Sequence, residues 1–237
     1  MNDAIPRPNF QVHYADMASL VISNYFPPIL HEGEAHTFFN QGPVSLDGYE
    51  TIIFTQLGSQ LYTPLFRETS LIWRQLISNA ASRGSVIVVF LDHFIADLPM
   101  DAQFQPIGES PVHNFEFLPP FVEPLEENSG RDIQLGAHPL MTPLWKATQK
   151  YWTYSATIGG TTAVPLALSK THQKPVSGLY KMGQGCLILL PEFDWRHPDL
   201  FHSEIEEWTP LGLKTGEFFR AYFLKLYPHL KAYLQQL

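Results

Sequence analysis

Four short, uninterrupted apolar runs punctuate the chain: SLVIS (19–23), TIIFT (51–55), VIVVFL (86–91) and LILL (187–190). A strand wetted on one face alternates apolar with polar residues. These runs do not alternate, so they predict strands covered on both faces, as in a central, mostly parallel sheet. AVPLALS (163–169) predicts a shorter strand, held to an edge or irregular position by Pro165, since proline cannot donate to a ladder. Between the second and third runs, Leu71, Ile72, Leu76, Ile77, Ala80 and Ala81 recur at helical spacing, predicting a helix near 68–83. Gly84 then stands where a helix-ending glycine belongs. Strand, helix and strand in that order make the right-handed crossover of an α/β sheet. A second helix from about Gly216 carries Phe218, Phe219, Tyr222, Phe223 and Leu226 as one stripe. Pro228 is expected to break or kink it before a last turn carrying Leu230, Tyr233, Leu234 and Leu237.

Residues 93–150 differ, being rich in proline and phenylalanine and poor in periodicity, as in FEFLPPFVEPLEENSGRD (115–132). So long an irregular stretch is functional or conceals elements of its own. LWKATQKYWTY (144–154) reads equally as a short helix or a strand. The expectation is a single α/β domain spanning 1–237, three-layered, with an irregular insertion over about 93–150.

Composition narrows the function classes. Fifteen Lys and Arg against 23 Asp and Glu give a net charge of −8, without the basic footprint that grips a phosphate backbone. Nucleic acid is therefore not expected as a primary ligand. Aromatics at 14% with charged residues at 16% are the reverse of a disordered chain. Cys186 is the one cysteine, which excludes an intramolecular disulfide and any CxxC zinc pair. The first residues, MNDAIPRPNFQVHYADM, lack a secretory pattern, and no apolar run approaches membrane-spanning length. A cytoplasmic protein without a membrane anchor is expected.

Several segments carry a resemblance. LDGYETIIFTQ (46–56) is similar to a strand entry, SRGSVIVVFL (82–91) to a helix-to-strand step, and KPVSGLYKMGQGCLILLPEF (174–193) to a hairpin and strand, of the class I glutamine amidotransferase-like proteins. Over residues 18–92 and 136–194 the chain resembles divergent, non-catalytic members of that family. The resemblance implies a flavodoxin-like α/β fold. Catalytic members place their nucleophile in a G-x-C-x-G turn, and no such turn occurs here. Cys186 follows Gly185 but opens an apolar strand, where a thiol is inert packing. The His-x-Glu of active members has its one counterpart in His202-Ser203-Glu204, about ten residues past the strand end. Amidotransferase activity is not expected. The relatives imply a place in bacterial multi-protein assemblies, defence-type systems among them.

Open parallel sheets bind ligands beyond the carboxyl ends of their strands. Besides Asn24 and Gln56, that edge offers Asp92 and His93 after the third run, and Glu192 with Asp194 after the last. Asp92, His93, Glu192 and Asp194 are the candidate acid/base or metal-binding group, against the plainer reading that they cap loops. His31-Glu32-Gly33-Glu34-Ala35-His36 has histidines five apart around a glycine, which is not HExxH spacing, and reads as an exposed polar loop. His197, Asp199, His202, Glu204, Glu206 and Glu207 read as an acidic helix start, with Asp199 or Ser203 as cap. Gly183-Gln184-Gly185 leads into a strand and reads as a tight hairpin. There is no Walker motif and no G-x-S-x-G elbow. No metal site and no cofactor is expected.

Two functions compete. As a partner-binding subunit, the chain would use aromatic and Pro-rich loops, with Phe115, Phe117 and Phe121 as contact residues. As an enzyme, it would be a small-molecule hydrolase or transferase working at the strand ends. Partner binding is the favoured reading, although the aromatics equally suit a well-filled core. The sequence leaves the oligomeric state open.

Overall fold

The structure, a computed structural model, describes residues 7–14, 34–37, 45–55, 64–90, 118–119, 124–129, 133–134, 138–158, 163–195, 197–205 and 207–237. The described strands are β1 (Arg7–Tyr14), β2 (Glu34–Thr37), β3 (Tyr49–Thr55), β4 (Val86–Phe90), β5 (Pro124–Ser129), β6 (Ile133–Gln134), β7 (Trp152–Ile158), β8 (Ala163–Ser169), β9 (Pro175–Met182), β10 (Gly185–Leu190), β11 (Glu192–Phe193), β12 (Phe201–His202) and β13 (Glu207–Trp208). The helices are α1 (Pro64–Ser82), α2 (Thr142–Thr148), which runs on into a 3-10 turn at Gln149–Tyr151, and α3 (Pro210–Leu234).

Eight strands form one sheet in the order β2-β1-β3-β4-β10-β9-β8-β6. The first five are mutually parallel, and β9, β8 and β6 extend the sheet antiparallel beyond β10. The expected α/β class holds, with a mixed sheet.

The apolar runs are continuous because both faces are covered. Along β3, β4 and β10, Ile53, Val86, Val88, Ile188 and Leu190 join Phe219, Phe223, Leu226 and Leu230 of α3 in one core. Their alternates Ile52, Phe54, Ile87, Val89, Leu187 and Leu189 join Trp73, Ile77, Ala80 and Ala81 of α1 in a second. Strand alternation thus sends successive residues into opposite cores, giving helix, sheet and helix layers. Each buried aliphatic side chain contributes about 1.5–3 kcal/mol.

α1 stops where the sequence says it should. The Gly84 N–H donates to the Ala81 carbonyl (2.9 Å) and the Ser85 N–H to the Ala80 carbonyl (3.1 Å), the paired bonds of a Schellman motif. Gly84 has φ +116°, open to glycine and costly for other residues. The β9–β10 hairpin turns through Gly183 and Gln184, with φ +58° at Gly183, so the expected tight hairpin is present. Its Gly185 packs on the end of α1 so closely that an added Cβ would lie 2.2 Å from the Ser85 carbonyl oxygen.

Several expectations need correction. β1 lies at Arg7–Tyr14, a strand the pattern did not announce; SLVIS (19–23) lies outside the described residues. Glu34–Thr37, read as a loop, is edge strand β2, because its backbone pairs in register with β1. The stretch 93–150 is not wholly irregular, since it contains β5, β6 and α2. The segment 144–154 is both things at once: helix to Thr148, then strand from Trp152. The irregularity expected at Pro165 is present, and among the described residues β6 pairs β8 only at Leu168 and Ser169. Pro165 itself pairs only with Gly178 of β9, and the ladder slips between Pro165 and Ala167, the irregularity that accommodates a proline. The acidic stretch is no helix start: Phe201–His202 and Glu207–Trp208 form a small hairpin. α3 begins at Pro210, capped by Thr209, whose hydroxyl accepts the Gly212 N–H at 2.9 Å. Pro228 does not end α3, which continues to Leu234. Leu230 and Leu234 beyond it are buried in the same core as Phe219, and this packing outweighs the lost hydrogen bond.

Candidate functional site

Past the carboxyl end of β10 the chain runs through Pro191 into β11, which pairs with β7; β7 in turn pairs with β5, making a separate three-stranded sheet. An aromatic cluster fills the junction between the two sheets. Phe90, at the end of β4, stacks on Trp152 at 6.1 Å with planes 6° apart. Phe193 meets Trp152 edge-on at 5.0 Å, Trp195 at 4.4 Å and Phe219 at 4.9 Å. Trp145 meets Trp152 edge-on at 4.9 Å. The polar edges are satisfied inside the cluster: Trp152 Nε1 donates to Thr148 Oγ1 (2.9 Å) and Trp145 Nε1 to the Leu166 carbonyl (3.2 Å). Much of the aromatic excess is therefore core rather than surface.

Polar residues lie outside this cluster. The Asp194 N–H donates to the Tyr151 carbonyl at 2.7 Å, and the Asp194 carbonyl accepts the His197 N–H at 3.2 Å. Lys150 pairs with Asp199, and its ammonium sits 4.9 Å from the centre of the Tyr151 ring. The lysine's hydrogen bond holds the Asp199 carboxyl below its ordinary range, and the same bond raises Lys150. His197 stands edge-on to Tyr151 at 5.1 Å. Its Nδ1 accepts the Asp199 backbone N–H at 3.2 Å. The Asp199 carboxylate, 3.8 Å from the same nitrogen, is not its hydrogen-bond partner.

Of the strand-end candidates, Asp92 and His93 lie outside the described residues. Glu192 and Asp194 follow β10, Glu192 in register with Tyr154 in β11 and Asp194 tied by its backbone as above. Phe115, Phe117 and Phe121 also lie outside the described residues. His202 is exposed on the small hairpin. Cys186 is fully buried at the start of β10, paired in register with Val86, and burial pushes its thiol up to about 12. Sequence reasoning did not anticipate the joining of Lys150, Tyr151, His197 and Asp199. They come from two segments some fifty residues apart, which the β7–β11 pairing and the Asp194 N–H to Tyr151 carbonyl bond bring together.

No protein-family model and no curated protein matches the chain. Solved structures do, at low identity. An exo-β-1,4-mannosidase from Opitutaceae bacterium strain TAV5 is 12% identical at a TM-score of 0.40, covering 98% of this chain. The chain spans 35% of that enzyme's length. A cytoplasmic protein from Salmonella typhimurium LT2 is 10% identical at a TM-score of 0.49, covering 94% of this chain and 99% of its own. A GH42 β-galactosidase from G. stearothermophilus is 11% identical at a TM-score of 0.41, over 76% of this chain and 27% of its own. Likeness at this level assigns no activity. Among the described residues, no helix is long and apolar enough to cross a membrane.

Proposed function

We propose that the chain is a non-catalytic, amidotransferase-like module that works by binding another protein as a subunit of a bacterial multi-protein assembly. The observation that carries this reading is Cys186. The chain's one thiol is buried inside the sheet, whereas a nucleophilic cysteine needs an accessible, electropositive setting that favours thiolate. The strand order β2-β1-β3-β4-β10 supports a flavodoxin-like assignment, since a parallel sheet of that kind places its second strand outside its first. The mutually satisfied Lys150, His197 and Asp199 support a loop closure in preference to an acid/base centre. Leu71 and Ile72 of α1, 64% and 52% exposed, give the surface apolar area a partner could cover.

Substitution in the native setting tests the proposal. Replacing Phe115, Phe117 and Phe121 by serine is expected to abolish the cellular role, with alanine at Asp92 or Glu192 leaving it intact. The opposite pattern, with folding preserved, would establish a small-molecule hydrolase or transferase at the strand ends instead.

A further inference from the structure

The chain makes the same turn twice, at His138-Pro139-Leu140 and at His197-Pro198-Asp199. In each, the histidine Nδ1 accepts the backbone N–H two residues on, at 3.3 Å from Leu140 and 3.2 Å from Asp199. Each histidine carbonyl accepts the N–H three residues on, from Met141 at 3.1 Å and from Leu200 at 2.7 Å. Each ring stands edge-on to a tyrosine at 5.1 Å, His138 to Tyr233 of α3 and His197 to Tyr151. The surroundings differ. His197 has the Asp199 carboxylate 3.8 Å from Nδ1, placed to meet a charged imidazole. His138 is half-buried, and no ion pair involves it among the described residues. Its turn is also where α2 is fastened. The His138 carbonyl accepts from the Thr142 hydroxyl at 3.2 Å, and the Leu140 carbonyl accepts from the Tyr222 hydroxyl of α3 at 2.7 Å.

We propose that His138 is an acid-sensitive latch, whose protonation loosens the start of α2 from α3. A neutral imidazole has one acceptor nitrogen, whereas a protonated one has two donors and no acceptor. The charged ring therefore cannot take the Leu140 N–H, and two N–H groups are left facing each other in a partly buried turn. A buried donor left unpaired costs more than the hydrogen bond itself contributes. Among the described titratable groups none offsets this. From α3 the imidazole faces Tyr233; Tyr222 is committed to Leu140, Lys231 to Gln184 and Gly84, and His229 is exposed. α2 carries one charge, the exposed Lys146, and Leu135, Gly136 and Ala137 before the turn carry none. Burial accordingly holds the imidazole below its ordinary 6.5. The neutral ring's contribution to stability is complete above 6.5 and is lost as pH falls through the lower folded value.

Hydrogen exchange of the full-length protein at pH 7.5 and at pH 5, each corrected for the intrinsic rate, tests the latch. Relative to β4, the amides of α2 should exchange at least about fivefold faster at the lower pH, the equivalent of one lost hydrogen bond. His138→Asn keeps an acceptor oxygen close to the place of Nδ1 and cannot be protonated, so it should abolish the difference. His229→Asn, an exposed change on α3, should keep it. Equal protection of α2 at both pH values, or a difference that survives His138→Asn, overturns the proposal. Should that variant fail to fold, an NMR titration of the unaltered protein decides the matter. The His138 midpoint should lie below 6.5, with the Leu140 amide shifting alongside it. A midpoint at or above 6.5, or an amide indifferent to the titration, overturns the latch.

Discussion

Lys231, one turn before the end of α3, donates from Nζ to the carbonyl oxygen of Gln184 at the tip of the β9–β10 hairpin, at 2.5 Å. The same ammonium reaches the Gly84 carbonyl at 3.3 Å, where α1 ends. One cation thus joins both helical layers to the hairpin that starts β10, at the amino edge of the parallel strands. This is the end of the sheet opposite to the candidate sites, so its role is to hold the layers together.

Lys231→Met keeps the aliphatic stem and removes the ammonium. A charge-assisted bond at a partly exposed position contributes about 1–2 kcal/mol. The variant should unfold about 2–8 °C lower, at 2–4 °C per kcal/mol for a chain of this size. An unchanged melting temperature in differential scanning calorimetry contradicts the account of this junction.

Phe219 is fully buried and touches the rings of Phe90, Trp152, Phe193 and Trp195. Phe219→Ala should cost about 3–5 kcal/mol in urea unfolding, the range for deleting a buried aromatic ring. The near-ultraviolet circular dichroism of the tryptophan cluster should weaken with it.

The Cys186 thiol should not react with Ellman's reagent at pH 8 in the native protein, and should react fully once the chain is unfolded in guanidinium. Cys186→Ala should preserve the cellular role. Loss of that role with an intact fold would show that the thiol does chemistry.

Asp199 and Lys150 set a pH expectation. The carboxyl of Asp199 is depressed by Lys150, so the pair is intact above the ordinary carboxylate value of 3.8 and is lost as pH falls through the lower folded value. In an NMR titration, Lys150→Met should move the Asp199 midpoint up towards 3.8. Both side chains are solvent-exposed, so the unfolding midpoint at neutral pH should barely change.

Legibility in the sequence followed burial. β3, β4 and β10 could be read because each sends apolar residues into a core. α1 could be read because Ile77, Ala80 and Ala81 do so, although Leu71 and Ile72 of its expected stripe are exposed and Trp73 is buried in their stead. β1 could not: RPNFQVHY mixes Arg, Gln and His among its apolar residues, and β2, EAHT, is a polar edge strand. The acidic stretch around Glu204 carried helix-start composition, but Phe201 and Trp208, 5.0 Å apart between ring centres, close a hairpin around it. A helix break at Pro228 rested on local chemistry, and long-range packing by Leu230 and Leu234 holds the helix continuous through it. Candidate chemistry was less legible still. Lys150 meets Asp199 across some fifty residues of chain, and a single sequence does not display such long-range pairing.

Native mass spectrometry of the protein, purified from its own host at near-natural expression, tests the central claim most directly. The account predicts a complex containing a stoichiometric second protein. A lone monomer or homodimer, above all one carrying a small organic ligand, contradicts it.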